Sequence, residues 1–285
     1  MGTVDKLNIV SQEMNIYFGI LVFISGIIGN LSNLVIFQTL QTFRETTSGF
    51  YLTIISIMNT GLMLGSLLIR IISDGFKTNI KGIPSICKIQ VALTVYCAMF
   101  SFVVLCAATI DQYISMSQFR QHSNQRFAKR LVILTSIIIA CYCILFLLYW
   151  DAPFEICMIV NPNFIKYTNY FHSPIISAGL PLSIMIVFSS LAFHKSRSFT
   201  TKQMHIIRLS RDRQLTAMTL SHAVFFIIVT IPFIVIFAYI TIQTNPNTEQ
   251  IARNNLLFSI AILINYTGYT VSFYALMRVE FRFHE

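Results

Sequence analysis

The cysteines are the residues whose chemistry depends most on where they lie. Cys87 begins a long apolar stretch, and Cys157 lies in a more polar segment further along the chain. On the oxidising side of a membrane two such thiols can form a disulfide; the alternative is that they are unrelated. The other cysteines lie inside apolar stretches, where we expect small buried apolar groups rather than metal ligands. They are Cys97, Cys106, Cys141 and Cys143.

The histidines and the charged side chains form no catalytic pattern. The six histidines are scattered, and only His222 lies well inside an apolar stretch, with no acid or nucleophile placed to work with it. Ionisable residues inside apolar stretches are costly and usually mark functional sites. Here Asp111, Asp212 and Arg70 lie near the ends of such stretches. The sequence therefore predicts no enzyme, metal site or cofactor, and it argues against a proton pump or an ion pathway.

These residues are positioned by long apolar stretches. Hydrophobic residues make up 55% of the chain and charged residues 11%, with a mean hydropathy of +0.69, whereas soluble domains have about 25% charged residues. A helix needs roughly 20 residues to cross the hydrocarbon core of a bilayer. The sequence therefore predicts an all-α membrane protein with one seven-helix domain over residues 1–285. Its predicted spans are 16–40, 49–72, 87–116, 130–150, 173–194, 214–242 and 254–277, followed by a short eighth helix from 278.

The net charge of +9 comes from basic residues in short loops, so it does not indicate nucleic-acid binding. If the N-terminus lies outside, 13 of the 20 Lys and Arg residues fall on the inner side and 7 on the outer side. This asymmetry predicts an N-terminus outside and a C-terminus inside, in a multi-pass membrane protein. Cys87 and Cys157 then both lie outside. No internal repeat is visible, which disfavours a transporter.

Several polar residues and two prolines lie inside the predicted spans. Polar side chains there either hydrogen-bond between helices or take part in function. They are Asn30, Asn33, Asn59, Ser101 and Asn265. Pro181 and Pro232 each remove a backbone hydrogen bond, which leaves either a static bend or a point at which half of the helix can swing.

Taken together, these residues resemble the rhodopsin-like G-protein-coupled receptors over essentially the whole chain, and most of all the divergent invertebrate receptors grouped near neuropeptide receptors. The positions that carry the resemblance are Gly29, Asn30 and Asn33, then Asn59, Cys87 and Cys157, then Asp111, Gln112 and Tyr113, then Pro181, Phe226 and Pro232, then Thr270 to Tyr274, and finally Phe281 and Arg282. The resemblance implies a disulfide between Cys87 and Cys157. It assigns activation and G-protein coupling to Asn30, Asn59, Asp111, Gln112, Tyr113, Pro181, Asp212, Phe226, Pro232 and Tyr274.

Four positions depart from the family pattern. Gln112 replaces the arginine of the Asp-Arg-Tyr motif and, being neutral, cannot form a charged lock with neighbouring acids. This predicts a less restrained resting state, or weaker coupling, or another basic residue in that role. Asn59 replaces the aspartate that helps to bind sodium, which predicts little sodium sensitivity of agonist binding. Thr230 replaces the tryptophan of the sixth-helix switch, and Val271 replaces the proline of the seventh helix.

Two charged residues that bind ligands in other receptors of this kind are missing here, which narrows the ligand class. Thr94 stands where aminergic receptors carry an aspartate, and Ile264 stands where opsins carry the lysine that binds retinal. A short peptide is favoured by the family likeness, and a lipid or another small molecule remains open. Ligand sites are usually apolar pockets with a few polar groups. The candidate lining residues are Arg70, Gln90, Thr94, Ser173, Ser177, Phe233 and Phe237. The alternative is that the phenylalanines pack or face lipid and that Arg70 lies among the headgroups.

The resemblance implies a multi-pass receptor of the plasma membrane that transmits the binding of an extracellular ligand. Span six would swing at Pro232 and open a cytoplasmic groove for a heterotrimeric G protein. The implied partners are therefore the ligand, the G protein and the lipid bilayer, without nucleic acid. Gln112 raises the alternative of a seven-helix protein that binds ligand without signalling. A membrane transporter is the weaker alternative.

Overall fold

The computed structural model describes residues 2–39, 44, 46–115, 124–199, 206–243 and 246–270, and for residues 195–199 and 206–216 it describes the backbone alone. Val271, Tyr274 and the expected eighth helix from 278 therefore lie outside the described residues. The same holds for the side chain of Asp212, whose backbone is helical.

Seven helices make up most of the described chain. They are α1 (Thr3–Thr39), α2 (Thr47–Gly75), α3 (Pro84–Ser115), α4 (Gln125–Tyr149), α5 (Pro162–Tyr167, continued by Thr168–Gly179 and Leu180–Phe199), α6 (Ile206–Ile242) and α7 (Thr248–Thr267). The first six are long and apolar enough, by length and composition, to cross a membrane. The described part of α7 carries Glu249 and Arg253 in its first two turns, which lowers its mean hydropathy. The predicted all-α fold is confirmed.

α1 begins well before the predicted span. It starts at Thr3 instead of residue 16, so its first turns are not part of the expected hydrocarbon crossing. Two polar side chains in this extension reach neighbouring helices. Gln12 Nε2 donates to the carbonyl oxygen of Gly75 at 2.8 Å, and Asn15 Nδ2 donates to Ser259 Oγ at 3.3 Å. These contacts stabilise helical turns that hydropathy alone does not predict.

α5 also begins earlier than predicted, at Pro162 instead of residue 173. The side chain of Asn161 accepts hydrogen bonds from the next free backbone N–H groups, and Pro162 occupies the first helical position, where a missing N–H costs nothing. Thr168–Gly179 is then wound as a π-helix that contains Pro174. Proline has no N–H and interrupts the α-helical ladder. Pro174 therefore accounts for the wider π-helical turns around it.

A short hairpin covers the end of α3. β1 (Trp150–Asp151) pairs antiparallel with β2 (Met158–Ile159). Cys157, just before β2, forms the predicted disulfide with Cys87 of α3, with a Cα–Cα distance of 5.6 Å. Lys88 Nζ lies 3.2 Å from Asp151 Oδ2 and strengthens the same attachment. The Ala152 N–H and the Lys88 ammonium hold the pKa of the Asp151 carboxyl below its ordinary value. We call this end of the bundle the outer end.

α3 lies at the centre of the bundle. It contacts α2, α4, α5 and α6, and α1 closes the ring by packing against α2 and α7. The buried core runs along α3 and includes Phe100, Val104, Leu105 and Ala108. Side chains on α3 are therefore packed by several helices at once.

Candidate functional site

Polar residues predicted inside the spans converge on one backbone atom in the core, an arrangement we call the polar centre. The carbonyl oxygen of Tyr269 accepts hydrogen bonds from Asn30 Nδ2 at 3.0 Å and from Asn59 Nδ2 at 3.2 Å. Ser101 donates its hydroxyl to Asn59 Oδ1 at 2.8 Å. Both asparagines have 0% exposed surface, so water does not compete for these bonds. The polar centre joins α1, α2 and α3 to the end of α7.

The Tyr269 carbonyl lies just beyond α7, which ends at Thr267. In the following turns each N–H bonds three residues back, as in the 3.0 Å bond from Gly268 N to the Asn265 carbonyl. Carbonyls at the end of a helix need partners from outside the α-helical ladder. Asn30 of α1 and Asn59 of α2 supply two such donors to the Tyr269 carbonyl.

α6 packs against Tyr269 as well. The Phe226 ring lies edge-on to Tyr269 at 5.3 Å between ring centroids and to Phe102 of α3 at 4.8 Å. Thr230, at the position of the family's switch tryptophan, donates its hydroxyl to Asn265 Oδ1 at 3.1 Å. The predicted switch residue Phe226 and the predicted polar residue Asn265 thus meet at one helix interface. Pro232 follows within the same helix.

The Asp111–Gln112–Tyr113 motif lies at the inner end of α3. Asp111 and Gln112 are buried, with 8% and 3% of their surface exposed. Gln112 Nε2 donates to Ser48 Oγ in the first turn of α2. The Tyr113 ring packs edge-on against Phe188 of α5 at 5.8 Å. Gln112 therefore makes a neutral bond to α2 instead of the family's charged contact.

Arg70 lies within a helix interface near the outer end. Its guanidinium donates to Asn15 Oδ1 at 3.1 Å and to Ser259 Oγ at 3.3 Å, which links α2 to α1 and α7. Its charge lies 3.6 Å from Asp74 Oδ2, and it stacks 5.6 Å above the Phe258 ring. The structure thus places Arg70 among structural partners and not on the wall of the pocket described next.

A pocket of about 230 Å³ opens between the outer halves of α5 and α6, and we call it the α5–α6 pocket. Three of the predicted ligand residues line it, namely Ser173, Phe233 and Phe237. The rings of Phe233 and Phe237 are stacked, with centroids 6.2 Å apart. The other lining residues are Asn169, Tyr170, Pro174, Ile234, Ala238, Thr241 and Ile242. These walls are mostly apolar and uncharged, which suits an aromatic or aliphatic group.

The remaining predicted ligand residues lie elsewhere. Thr94 donates its hydroxyl to the Gln90 carbonyl within α3 at 2.7 Å. Ser177 Oγ lies 3.2 Å from His172 Nε2. The structure does not bring these residues to the wall of the α5–α6 pocket.

A polar and aromatic cluster between α4 and α5 was not predicted. The Tyr142 hydroxyl lies 2.7 Å from Nδ1 of the buried His172 and 3.0 Å from the Tyr167 hydroxyl. Phe146 and Phe164 pack edge-on beside them at 5.3 Å. The signal in the sequence was the spacing of aromatic residues by about one turn on both helices. Among the described residues, no group of three His, Cys, Asp or Glu side chains could hold a metal ion.

Residues 29–270 match a family model described as 7 transmembrane receptor (rhodopsin family). The match includes the polar centre, the inner motif and the α5–α6 pocket. No curated protein matches the chain.

Proposed function

The chain belongs to the rhodopsin family of seven-transmembrane receptors, and on that basis we propose that it is a plasma-membrane receptor that transmits the binding of an extracellular ligand to a heterotrimeric G protein. The observation that carries this proposal is the polar centre. Asn30 and Asn59 hold the Tyr269 carbonyl, and Phe226 of α6 packs on the ring of the same residue. A helix that rests on such a centre can occupy one of two packed arrangements. No enzymatic activity is part of this proposal.

α6 connects the ligand pocket to this centre. Phe233 and Phe237 line the pocket on the outer side of Pro232, whereas Phe226 reaches Tyr269 on the inner side. Pro232 cannot donate a backbone hydrogen bond, so the two halves of α6 are less tightly coupled there than in an uninterrupted helix. An agonist that binds one arrangement of α6 better shifts the population by its differential affinity.

The hairpin favours a short peptide as the ligand. Ile156, Met158 and Val160 alternate along its second half and are 63%, 45% and 57% exposed, and Phe154, in the turn before them, is 94% exposed. Alternate residues of an extended segment point to the same side. An apolar stripe on a loop outside the bilayer indicates an interaction surface. We propose that a peptide places an apolar side chain in the α5–α6 pocket and packs its remaining residues on this stripe. A lipid ligand would use the pocket alone.

The inner end carries groups suited to a G protein. Arg126, Lys129 and Arg130 are exposed at the start of α4. These cations can contact an acidic partner surface or anionic headgroups. The second candidate function is ligand binding without signalling. It is favoured by Gln112, which bonds to Ser48 and supplies no charge for coupling.

The test is a screen of a neuropeptide library in cells that express the chain with a promiscuous G protein. We expect a dose-dependent calcium response that is lost in Cys87→Ala, which releases the hairpin, and retained in Cys141→Ala, which removes an exposed free thiol of α4. Silence from a chain shown to reach the cell surface would count against a peptide ligand and favour the non-signalling candidate.

A further inference from the structure

We propose that α6 is held against α7 by a latch of three side chains. On α6 its members are His222, Phe226 and Thr230, which follow one another at intervals of about one turn. Opposite them are Asn265, Gly268 and Tyr269 at the end of α7. The inference rests on the proposed function, because it names the contacts that must open when α6 moves.

The outer part of the latch is the bond from Thr230 Oγ1 to Asn265 Oδ1 at 3.1 Å. Thr230 is 4% exposed, so water cannot replace the bond without movement of the helices. Thr230 lies two residues before Pro232. The bond therefore holds α6 to α7 next to the point at which α6 lacks a backbone hydrogen bond.

The inner part of the latch is a contact between a side chain and the backbone. His222 Nε2 lies 3.3 Å from the Gly268 carbonyl oxygen. A carbonyl only accepts, so the proton lies on Nε2 in this contact. His222 is 2% exposed, and the bond spans the interface between α6 and α7.

The middle of the latch depends on close approach at Gly268. A Cβ at this position would lie 2.9 Å from Phe226 Cδ2 and 2.9 Å from Val229 Cγ2, shorter than ordinary van der Waals contact. Only glycine therefore allows α6 to pack this closely on the end of α7. The packing places Phe226 against Tyr269, whose carbonyl is held by the polar centre.

The latch is weak enough for a ligand to open it. A hydrogen bond between helices in a bilayer contributes only modestly, equivalent to about a threefold change in an equilibrium. Two such bonds and one close contact thus shift the ratio of two α6 arrangements by roughly tenfold to a hundredfold, within reach of a ligand's differential affinity.

The experiment measures the position of α6 directly. A trifluoromethyl label is placed on a cysteine introduced by Ser221→Cys on the exposed face of α6, with the exposed thiol of α4 removed by Cys141→Ser. Fluorine spectra in nanodiscs are compared for the parent, Thr230→Val and Thr230→Ser. The control is Thr135→Val, because Thr135 lies on α4, away from the latch, and its hydroxyl donates within that helix, to the Leu131 carbonyl at 2.9 Å.

We expect Thr230→Val to change the ratio of two label signals by about threefold, and Thr230→Ser, which keeps the hydroxyl, to match the parent. Gly268→Ala acts through steric contact and should shift the ratio in the same direction. If Thr230→Val fails to fold, the ratio of label signals in Gly268→Ala tests the latch by itself. If the spectra of both variants match those of Thr135→Val, the latch is overturned. A fluorine shift without any change in G-protein activation would leave the latch standing and reject the proposed function.

Discussion

At the scale of single residues, Asn59 shows why a neutral side chain replaces the family's aspartate. Its Nδ2 donates to the Tyr269 carbonyl, and its Oδ1 accepts from Ser101, so both ends of the amide are used. A carboxylate can only accept hydrogen bonds. It would therefore face the Tyr269 carbonyl without a donor, whereas the amide satisfies both neighbours.

Asn59→Asp is accordingly expected to destabilise the protein by about 1–3 kcal/mol, because it leaves a buried acceptor facing another acceptor. The measurement is the thermal unfolding temperature in detergent, with Ser221→Ala at an exposed position of α6 as the control. We also expect that agonist affinity in the parent does not respond to the exchange of sodium for potassium. An unchanged melting temperature in Asn59→Asp would refute this account of the polar centre.

Gln112→Arg tests the meaning of the neutral inner motif. The new guanidinium would stand beside Asp111 in a buried site, and it would replace the neutral bond to Ser48 with a charged contact that restrains the resting arrangement. We expect basal signalling to fall by about fivefold, equivalent to roughly 1 kcal/mol. Gln112→Leu removes the bond to Ser48 without adding charge and serves as the control. Equal basal signalling in Gln112→Arg and the parent, at matched surface expression, would contradict the prediction.

At the scale of elements, the hairpin is the part of the outer end most exposed to a partner. Phe154→Ser removes the most exposed apolar side chain of the hairpin, which lies in its turn at 94% exposure. We expect peptide potency to fall by about tenfold, as for an interface anchor worth more than 1 kcal/mol, with normal surface expression. Phe76→Ser is the matched control, because Phe76 is 57% exposed at the outer end of α2. An equal effect of the two substitutions on potency would argue against the hairpin as the peptide surface.

The ends of the helices show the limit of prediction from the sequence. The hydropathy of the chain identified the apolar stretches, but α1 and α5 extend well beyond them. Those extensions depend on contacts distant in sequence, such as Gln12 to Gly75, or on a cap such as Asn161, which hydropathy does not register. The disulfide followed from the family resemblance and is confirmed.

The candidate site was predictable in part for a similar reason. Phe233 and Phe237 lie about one turn apart, so a shared face was readable from spacing, and they line the α5–α6 pocket together. The environment of Arg70 was not readable, because Asn15 and Ser259 come from helices far away in the sequence. The latch was hidden for the same reason, although His222, Phe226 and Thr230 form a regular stripe.

At the scale of the whole molecule, composition accounts for the architecture. A chain with 11% charged residues cannot cover a globule with polar surface, so its helices find their outer solvent in lipid. Inside the bundle the few polar side chains then bond to one another across helices, as in the polar centre and the latch. The same scarcity of charge makes neutral hydrogen bonds, and not ion pairs, the contacts that hold the predicted switch.

The measurement that tests signal transduction most directly is guanine-nucleotide exchange on purified G proteins by the chain in nanodiscs. It needs no ligand, because a weakened latch should raise basal activity. We predict that Thr230→Val accelerates exchange by about threefold over the parent, and that Thr135→Val does not. The proposed signal transduction would be contradicted if neither the parent nor Thr230→Val raised the exchange rate above that of empty nanodiscs with any G protein of a panel.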